Sequence, residues 1–449
     1  MTTTVDDLPD EIMLEIFSYM SVSENVNLLQ KVCIRWKSIA QDAKVWYDKQ
    51  YVIGYTVTDE EAIATFRAAP QLRTVIVDRE VEPAIFEVLS KSCPEVTTLD
   101  IDYRQTVHYT KAKNLFDGCK KIRTLKISER GLLADARFVD AVAELAQLRV
   151  LQLKPYHNVG CQVPLRGLAD RCPHLCDLDL GWLHYRLQEA EYFVSTEGRA
   201  LRRLCVKWTT VERRNIVPLL VKCVDTLEYL QLNTYDVVDG EDLEAFRALG
   251  RLHNLRELIF DTIHKRIPHV IPVPFIGGGL SNLQLLGLWR IPDLGNEAFL
   301  AISKGCPKLR ELSLIACRGH TDEAFKLFHQ LKQLEILKIS YCDCLRGDAI
   351  RHISVLPALR TLEFEAIKFQ KLEPGVECFL DMSGLCRLHL RYSVCWSIPF
   401  GKFPGRLINL RELNIDYCDG DDAELDKIRQ LMPECHVEGG LGALITDSE

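Results

Sequence analysis

Cysteine is the residue type best placed to do chemistry in this chain, with 17 copies among 449 residues. A thiolate is both a nucleophile and a soft metal ligand. Cys342-x-Cys344 with His352 downstream has metal-like spacing, but no second pair follows it. Cys223-Val224-Asp225 sets a thiol beside an acid, the residue types of a thioester-forming site. Gly277, Gly278 and Gly279 do not join a strand to a helix in a phosphate-binding pattern, so they are no nucleotide signal. The cysteine count is odd, and no framework of close, regular pairs appears. The expectation is reduced thiols that serve as small buried hydrophobes, with no catalytic residue, no metal and no cofactor.

Composition bounds the surroundings. There are 55 basic and 63 acidic residues, a net charge of -8, with 47% apolar and 26% charged residues. That excludes a disordered chain, a collagen-like fibre and a mainly basic nucleic-acid binder. Met1 leads into Thr-Thr-Thr-Val-Asp-Asp, which has neither the basic nor the apolar part of a signal peptide. No Asn-x-Ser/Thr site occurs, and no apolar run approaches the ~18 residues that span a bilayer. No basic run of five or more marks a nuclear address. The expectation is a cytoplasmic or nuclear protein without membrane contact.

A repeat sets the elements. Leu-x-x-Leu-x-Leu, with other apolar residues allowed, begins clearly at Leu148, Leu175, Leu227, Leu255, Leu309, Leu334, Leu359 and Leu410. Weaker copies begin at Leu72, Val96, Ile122, Leu201, Leu283 and Leu385, with steps of 24 to 28 residues. The alternating end of the motif predicts a short strand with one buried face. The return segments carry helical spacing: Phe325, Phe328 and Leu331 share a face, as do Ala298, Phe299 and Ile302. Thr321 precedes Asp322 and Glu323 as a candidate N-cap. A strand-plus-helix unit cannot bury its apolar face alone, so neighbours must stack in a parallel sheet.

Cys306-Pro-Lys-Leu-Arg-Glu-Leu-Ser-Leu-Ile-Ala-Cys317 resembles the cysteine-containing subtype of the leucine-rich repeat. Cys93-Pro94, Cys172-Pro173 and Cys119 match the start of that pattern, and Cys342 and Cys418 match its end. The resemblance implies an α/β fold: a curved, right-handed solenoid of about fourteen repeats, with parallel strands on the concave face and helices on the convex face.

Residues 5 to 50 lie outside the repeat and show helical patterns at 9–20, about 24–32 and about 34–43. Pro9, Asp10 and Glu11 suit the first helix's first turn, and Ile12, Ile16 and Met20 form a stripe beside Met13 and Phe17. So small a domain can hardly hide that many apolar groups, which points to a partner surface. Leu8-Pro9-Asp10-Glu11, Ile16-Phe17, Val32-Cys33-Ile34-Arg35-Trp36, Ala40 and Trp46 resemble the F-box. Ser23-Glu-Asn-Val-Asn27 departs from the usual Asp-Leu-x-x-Leu. The resemblance implies binding to the Skp-type adaptor, and through it to the cullin–RING core of a ubiquitin ligase. It also implies that Leu8, Pro9, Glu11, Ile16, Phe17, Val32, Cys33 and Trp36 contact or shape that interface. Trp46 is expected to pack the F-box against the first repeat.

The expected domains are an F-box at 5–50, a helical connector at 51–71, a solenoid at 72–436 and a tail at 437–449. A target protein is expected on the exposed side of the strands, with Lys126, Lys154, Arg203, Lys207, Tyr229, Trp289, Arg387 and Arg391 as candidates. Acidic residues alternate with these, so no sustained positive stripe awaits nucleic acid. Tyr103, Trp182, Trp208, Tyr341, Tyr392 and Tyr417 fall in one column after the strands and are expected to pack. The Pro/Gly-rich stretch 266–279 is expected either to replace a helix or to cover a partner. The leading functional expectation is the substrate receptor of a Skp–cullin–F-box ligase. An interaction scaffold without ubiquitin transfer is the alternative.

Overall fold

The computed structural model describes residues 5–102, 109–128, 136–154, 162–181, 183–196, 199–208, 217–234, 242–262, 271–291 and 294–441. It divides into two compact units, residues 1–207 and 208–449. Tyr103, Trp182 and residues 266–270 fall outside the described residues, as do the side chains of Lys207 and Trp208.

In the first unit the strands are β1 (Gln50–Ile53), β2 (Thr74–Val77), β3 (Thr98–Asp102), β4 (Thr124–Ser128), β5 (Val150–Leu153), β6 (Gln162–Val163), β7 (Asp177–Asp179), β8 (His184–Tyr185) and β9 (Arg203–Trp208). The sheet runs β1-β2-β3-β4-β5-β7-β9, all parallel, and β6 pairs with β8 apart from it. The second unit holds β10 (Tyr229–Thr234), β11 (Glu257–Thr262), β12 (Leu285–Trp289), β13 (Glu311–Ile315), β14 (Ile336–Ser340), β15 (Thr361–Glu365), β16 (Arg387–His389), β17 (Glu412–Cys418) and β18 (His436–Leu441). These pair in sequence order, again parallel. Register follows the repeat, as in Tyr229↔Glu257↔Leu285↔Glu311.

The motif leucines make the core. Leu309, Leu312 and Leu314 are fully buried, as are Ala298, Phe299 and Ile302 from the helix Asn296–Gly305. Asp322–Lys326 is helical, and Leu327–Gln330 continues it as a 3-10 turn with Phe325, Phe328 and Leu331 buried. Thr321 occupies the N-cap position, but its hydroxyl accepts from the Asn296 amide (2.9 Å) rather than capping. The column cysteines are buried thiols that reach back to the preceding repeat. Cys93 Sγ donates to the Phe66 carbonyl (3.4 Å) and Cys317 Sγ to the Leu288 carbonyl (3.0 Å). Within 271–279, a 3-10 turn at Val273–Phe275 buries Ile271 and Phe275, taking the place of a helix.

Two boundaries differ from the sequence expectation. Gln50–Ile53 is already a strand paired to β2, and the helix Asp59–Ala68 follows it. Residues 50–68 are therefore a repeat, not a connector. At the other end, His436–Leu441 pairs with β17, so the sheet runs into the segment expected to be a tail. The second F-box helix also begins earlier, because Ser21 and Glu24 form a reciprocal capping box ahead of Val22–Glu24, a π turn at Asn25–Leu29 and a last turn at Gln30–Val32. The third is shorter, Ile34–Ala40.

Candidate functional site

The first helix, Asp10–Tyr19, starts at Pro9 and carries Asp10 and Glu11 in its first turn, where acids complement the helix dipole. Its C-terminal carbonyls are closed by Lys49. The Lys49 ammonium donates to the carbonyls of Phe17 (3.1 Å), Ser18 (3.0 Å) and Met20. Burial pulls the Lys49 pKa down, and Glu24 partly offsets this. Lys49→Met would leave those carbonyls without their donor and is expected to cost about 2 kcal/mol, read as a lower urea midpoint of the first unit.

The third helix begins at Cys33, whose Sγ accepts the Trp36 N–H (3.4 Å) as an N-cap. Arg35 ties this helix to the chain's start, donating to the Leu8 carbonyl (2.5 Å) and pairing with Asp10 (2.7 Å). Arg35 thus holds the Leu8 segment to the third helix. The eight sequence-derived residues sort into two sets. Phe17 is buried against Trp36, ring centroids 5.2 Å apart, with Trp36 half-buried and Leu8 half-buried. Pro9, Glu11, Ile16, Val32 and Cys33 face solvent. Sequence reasoning missed Ile34, at 90% the most exposed large apolar side chain among the described residues, together with Tyr19 and Leu28. The signal was available, since Trp36, Ile39 and Ala40 define the buried side and Ile34 lies off it.

The F-box helices are fixed to the first repeat. Buried Asn25 donates to the Ala40 carbonyl (3.3 Å), and Gln30 bonds to Asn25 (3.0 Å) and to the Ala68 carbonyl (3.1 Å). Trp46 is fully buried with its indole N–H on the Ala40 carbonyl (2.9 Å), and Arg73 lies 4.8 Å over the Tyr47 ring.

The strand-face candidates do not form one site. In the first unit, Lys126 faces Asp100 (3.8 Å), Lys154 faces Asp179 (3.6 Å) and Arg203 faces Asp177 (3.4 Å). Burial raises the Asp177 pKa despite Arg203. These cations are matched by neighbouring carboxylates rather than gathered into a patch. In the second unit, Tyr229 donates to Gln231 (2.8 Å), which donates to Asn233 (3.0 Å). Trp289 lies across Gly287, with its indole nitrogen buried and without a partner. Arg387 donates to Thr361 Oγ1 (3.1 Å), and Arg391 is exposed.

From β13 to β18 this face is acidic. Glu311, Glu363, Glu365, Glu412, Asp416 and Glu438 stand against Lys338, Arg387 and Arg391. His389 bridges Glu412 (2.9 Å) and Glu363 (3.9 Å). In the column after the strands, the aromatic side chains that fall among the described residues are not buried as expected. Tyr341, Tyr392 and Tyr417 are 49%, 48% and 65% exposed. All three sit at positive φ, as do Arg290, Ala316 and Ala366 in the same column. A side chain at such a φ costs on the order of 1–3 kcal/mol, and here burial does not offset it.

The cysteine chemistry considered above has no support. Cys223 is buried and burial pushes its thiol up to about 12, which keeps it protonated. Cys344 meets His320 one repeat back, Sγ to Nε2 3.1 Å, rather than His352. Burial pushes Cys344 up and pulls His320 down to about 4, so both are neutral at pH 7. Among the described residues, no group of three or more His, Cys, Asp or Glu is placed to hold a metal. His320 is packed against Phe299 and Phe325. Its folded pKa lies below the unfolded value of 6.5, so its stabilisation is complete above pH 6.5. It is lost as pH falls toward 4, by about 3 kcal/mol. His320→Phe is expected to flatten that part of the stability profile when urea midpoints are compared from pH 7 to pH 4.

With the F-box arrangement and the repeats in view, likeness to known proteins can be stated. Residues 5–49 match the family described as F-box-like. F-box/LRR-repeat protein 12 of Homo sapiens is 26% identical over 397 residues, 82% of this chain and 91% of the relative. The chain is similar to the F-box/leucine-rich-repeat proteins. F-box/LRR-repeat protein 4 of Bos taurus is 25% identical over 239 residues, half of this chain but only 33% of that relative. Putative F-box/LRR-repeat protein 9 of Arabidopsis thaliana is 23% identical over 215 residues, 39% of this chain and 85% of that relative. An F-box/leucine-rich-repeat chain thus combines a small helical domain exposing apolar side chains with a long parallel sheet, an α/β leucine-rich-repeat solenoid.

Proposed function

We propose that this chain is the substrate-recognition subunit of a Skp–cullin–F-box ubiquitin ligase. The F-box holds the Skp-type adaptor, the adaptor brings the cullin–RING core, and the repeats hold a target protein for ubiquitination and degradation. The observation that carries this reading is the apolar surface left open on the F-box, with Ile34 90%, Val32 57% and Ile16 41% exposed. An apolar surface of that kind marks a protein partner.

The chain itself makes and breaks no bond. It raises the effective concentration of target lysines near a ubiquitin-charged enzyme. The Asn25–Gln30–Ala68 bonds support this role, because they hold the F-box rigidly to the first repeat. Matched charges on the first unit's strands argue for a protein target over nucleic acid. Among the described residues no helix is long and apolar enough to cross a membrane. The working location is the cytoplasm, the nucleus or both.

The test is co-purification of the full chain with a Skp-type adaptor and a cullin. Recovery of both supports a receptor. Adaptor without cullin makes the chain a scaffold, and neither partner removes the F-box reading.

A further inference from the structure

The solvent-facing edge that follows the strands of the second unit carries a structure that target recognition in general does not require. Tyr341 N–H donates to the Glu365 carbonyl (2.9 Å), Ala366 N–H to the Arg391 carbonyl (3.0 Å) and Tyr392 N–H to the Asp416 carbonyl (3.1 Å). Tyr341, Ala366, Tyr392 and Tyr417 therefore follow one another on adjacent repeats. Tyr392 and Tyr417 stack face to face, centroids 4.9 Å apart and planes 3° from parallel. In that column Ala366, whose side chain is a single methyl group, falls between Tyr341 and Tyr392. At ~4.8 Å per strand the two tyrosines are roughly 9.6 Å apart. That leaves a slot walled by two rings and floored by a methyl. At the slot's side, Glu365 Oε1 accepts a long bond from the Tyr341 hydroxyl (3.4 Å), and Glu365 raises the Tyr341 pKa.

We propose that this slot takes an arginine side chain from a basic, extended segment of the target, with the guanidinium between Tyr341 and Tyr392 and paired to Glu365. The inference rests on the reading of the repeats as a target receptor. A cation midway in the slot lies about 4.8 Å from each ring, inside the ~6 Å reach of cation–π attraction. The chain already uses that contact internally, with Arg73 4.8 Å over Tyr47 and Arg166 5.0 Å over Tyr192. A planar guanidinium stacks between rings and meets a carboxylate with two donors, whereas a lysine ammonium is a hydrated point charge. The face around the slot supplies the long-range complement, since its carboxylates outnumber its cations two to one. Arg391, exposed between Glu365 and Asp416 and near enough to act on the Tyr341 hydroxyl, is the cation at the slot itself that opposes the incoming charge.

The test uses the full-length chain and three fluorescein-labelled peptides: octa-arginine, octalysine and octaglutamate. Anisotropy at physiological salt reads the affinities. Octa-arginine is expected to bind about tenfold more tightly than octalysine. Tyr392→Ala and Glu365→Gln are each expected to weaken octa-arginine about tenfold and to erase that preference. Arg391→Glu is expected to tighten it several-fold. Tyr392→Ala should fold, because Ala316 and Ala366 hold the same backbone conformation in the same column; circular dichroism checks this. Tyr417→Ala, which removes the stacking partner, is a second variant expected to weaken octa-arginine by a smaller factor.

Equal binding of octa-arginine and octalysine, or indifference to Tyr392→Ala, reduces the surface to charge alone and overturns the slot. Binding of octaglutamate that Arg391→Glu abolishes assigns the face to an acidic partner instead. None of these measurements needs the adaptor. Failure here with adaptor binding intact removes the slot and leaves the receptor reading, and the reverse result leaves a basic-segment site on a chain that is no receptor.

Discussion

Ile34→Asp is expected to lower affinity for the Skp-type adaptor by at least about a hundredfold while leaving the chain folded. Burying an isoleucine side chain contributes about 1.5–3 kcal/mol. Forcing an unpaired carboxylate into the same interface adds a desolvation cost, and about 1.4 kcal/mol is a tenfold change. The fold is spared for two reasons. Ile34 is 90% exposed, so its side chain holds nothing in place. It also opens the helix Ile34–Ala40, where an acid complements the dipole. Titration calorimetry with purified adaptor reads the effect. Val355→Asp, at a similarly open apolar position in the second unit, serves as the control and is expected to change nothing. Affinity within threefold of the parent would place the docking surface elsewhere on the chain.

Gly279→Ala is expected to be the most damaging single-methyl change in the second unit, at about 3 kcal/mol. A Cβ at that position would stand 1.5 Å from the Gly250 carbonyl oxygen. Neither the obstacle nor the glycine belongs to a flexible side chain, so two backbones must separate. Gly250 in turn lies close to Pro274, and a Cβ on it would sit 2.9 Å from the Pro274 carbonyl. The Pro/Gly-rich stretch thus packs backbone against backbone where other repeats use a helix. Gly54→Ala meets nothing within 4 Å and is the control. Chemical unfolding that shows Gly279→Ala within about 0.5 kcal/mol of the parent would mean that this segment is not held as described.

What the sequence revealed follows from which positions carry a side-chain signature. Motif leucines announce the sheet because each must be buried on the same side. Residue 50 pairs with residue 74, so residue 48 occupies the leading motif column, and there the chain has Asp. That position is exposed, so no leucine is needed and the first repeat escapes a pattern search. The last repeat hides in the same way, with Glu434 in the column that holds Leu410. Cys344 and His320 could have been joined by stepping back one repeat length, whereas local spacing pointed to His352. The exposed tyrosines could not be sorted from packing ones, because the backbone turn that swings them outward leaves no mark when alanine and arginine occupy the same column. On the F-box the identity of the domain was legible and its outward side was not, since inward and outward apolar residues are of the same types.

The hydrogen bonds of Gln30 have a consequence for when the chain is competent. Repeat arrays fray from their ends unless something closes them. Here the F-box helices close the amino-terminal end, and Gln30 shares its amide between their Asn25 and the Ala68 carbonyl of the first repeat. Fraying of the first repeat therefore loosens the helix that leads into Val32 and Ile34. If the F-box recruits an adaptor as proposed, a chain whose array has begun to open at that end is expected to offer it a poorer surface.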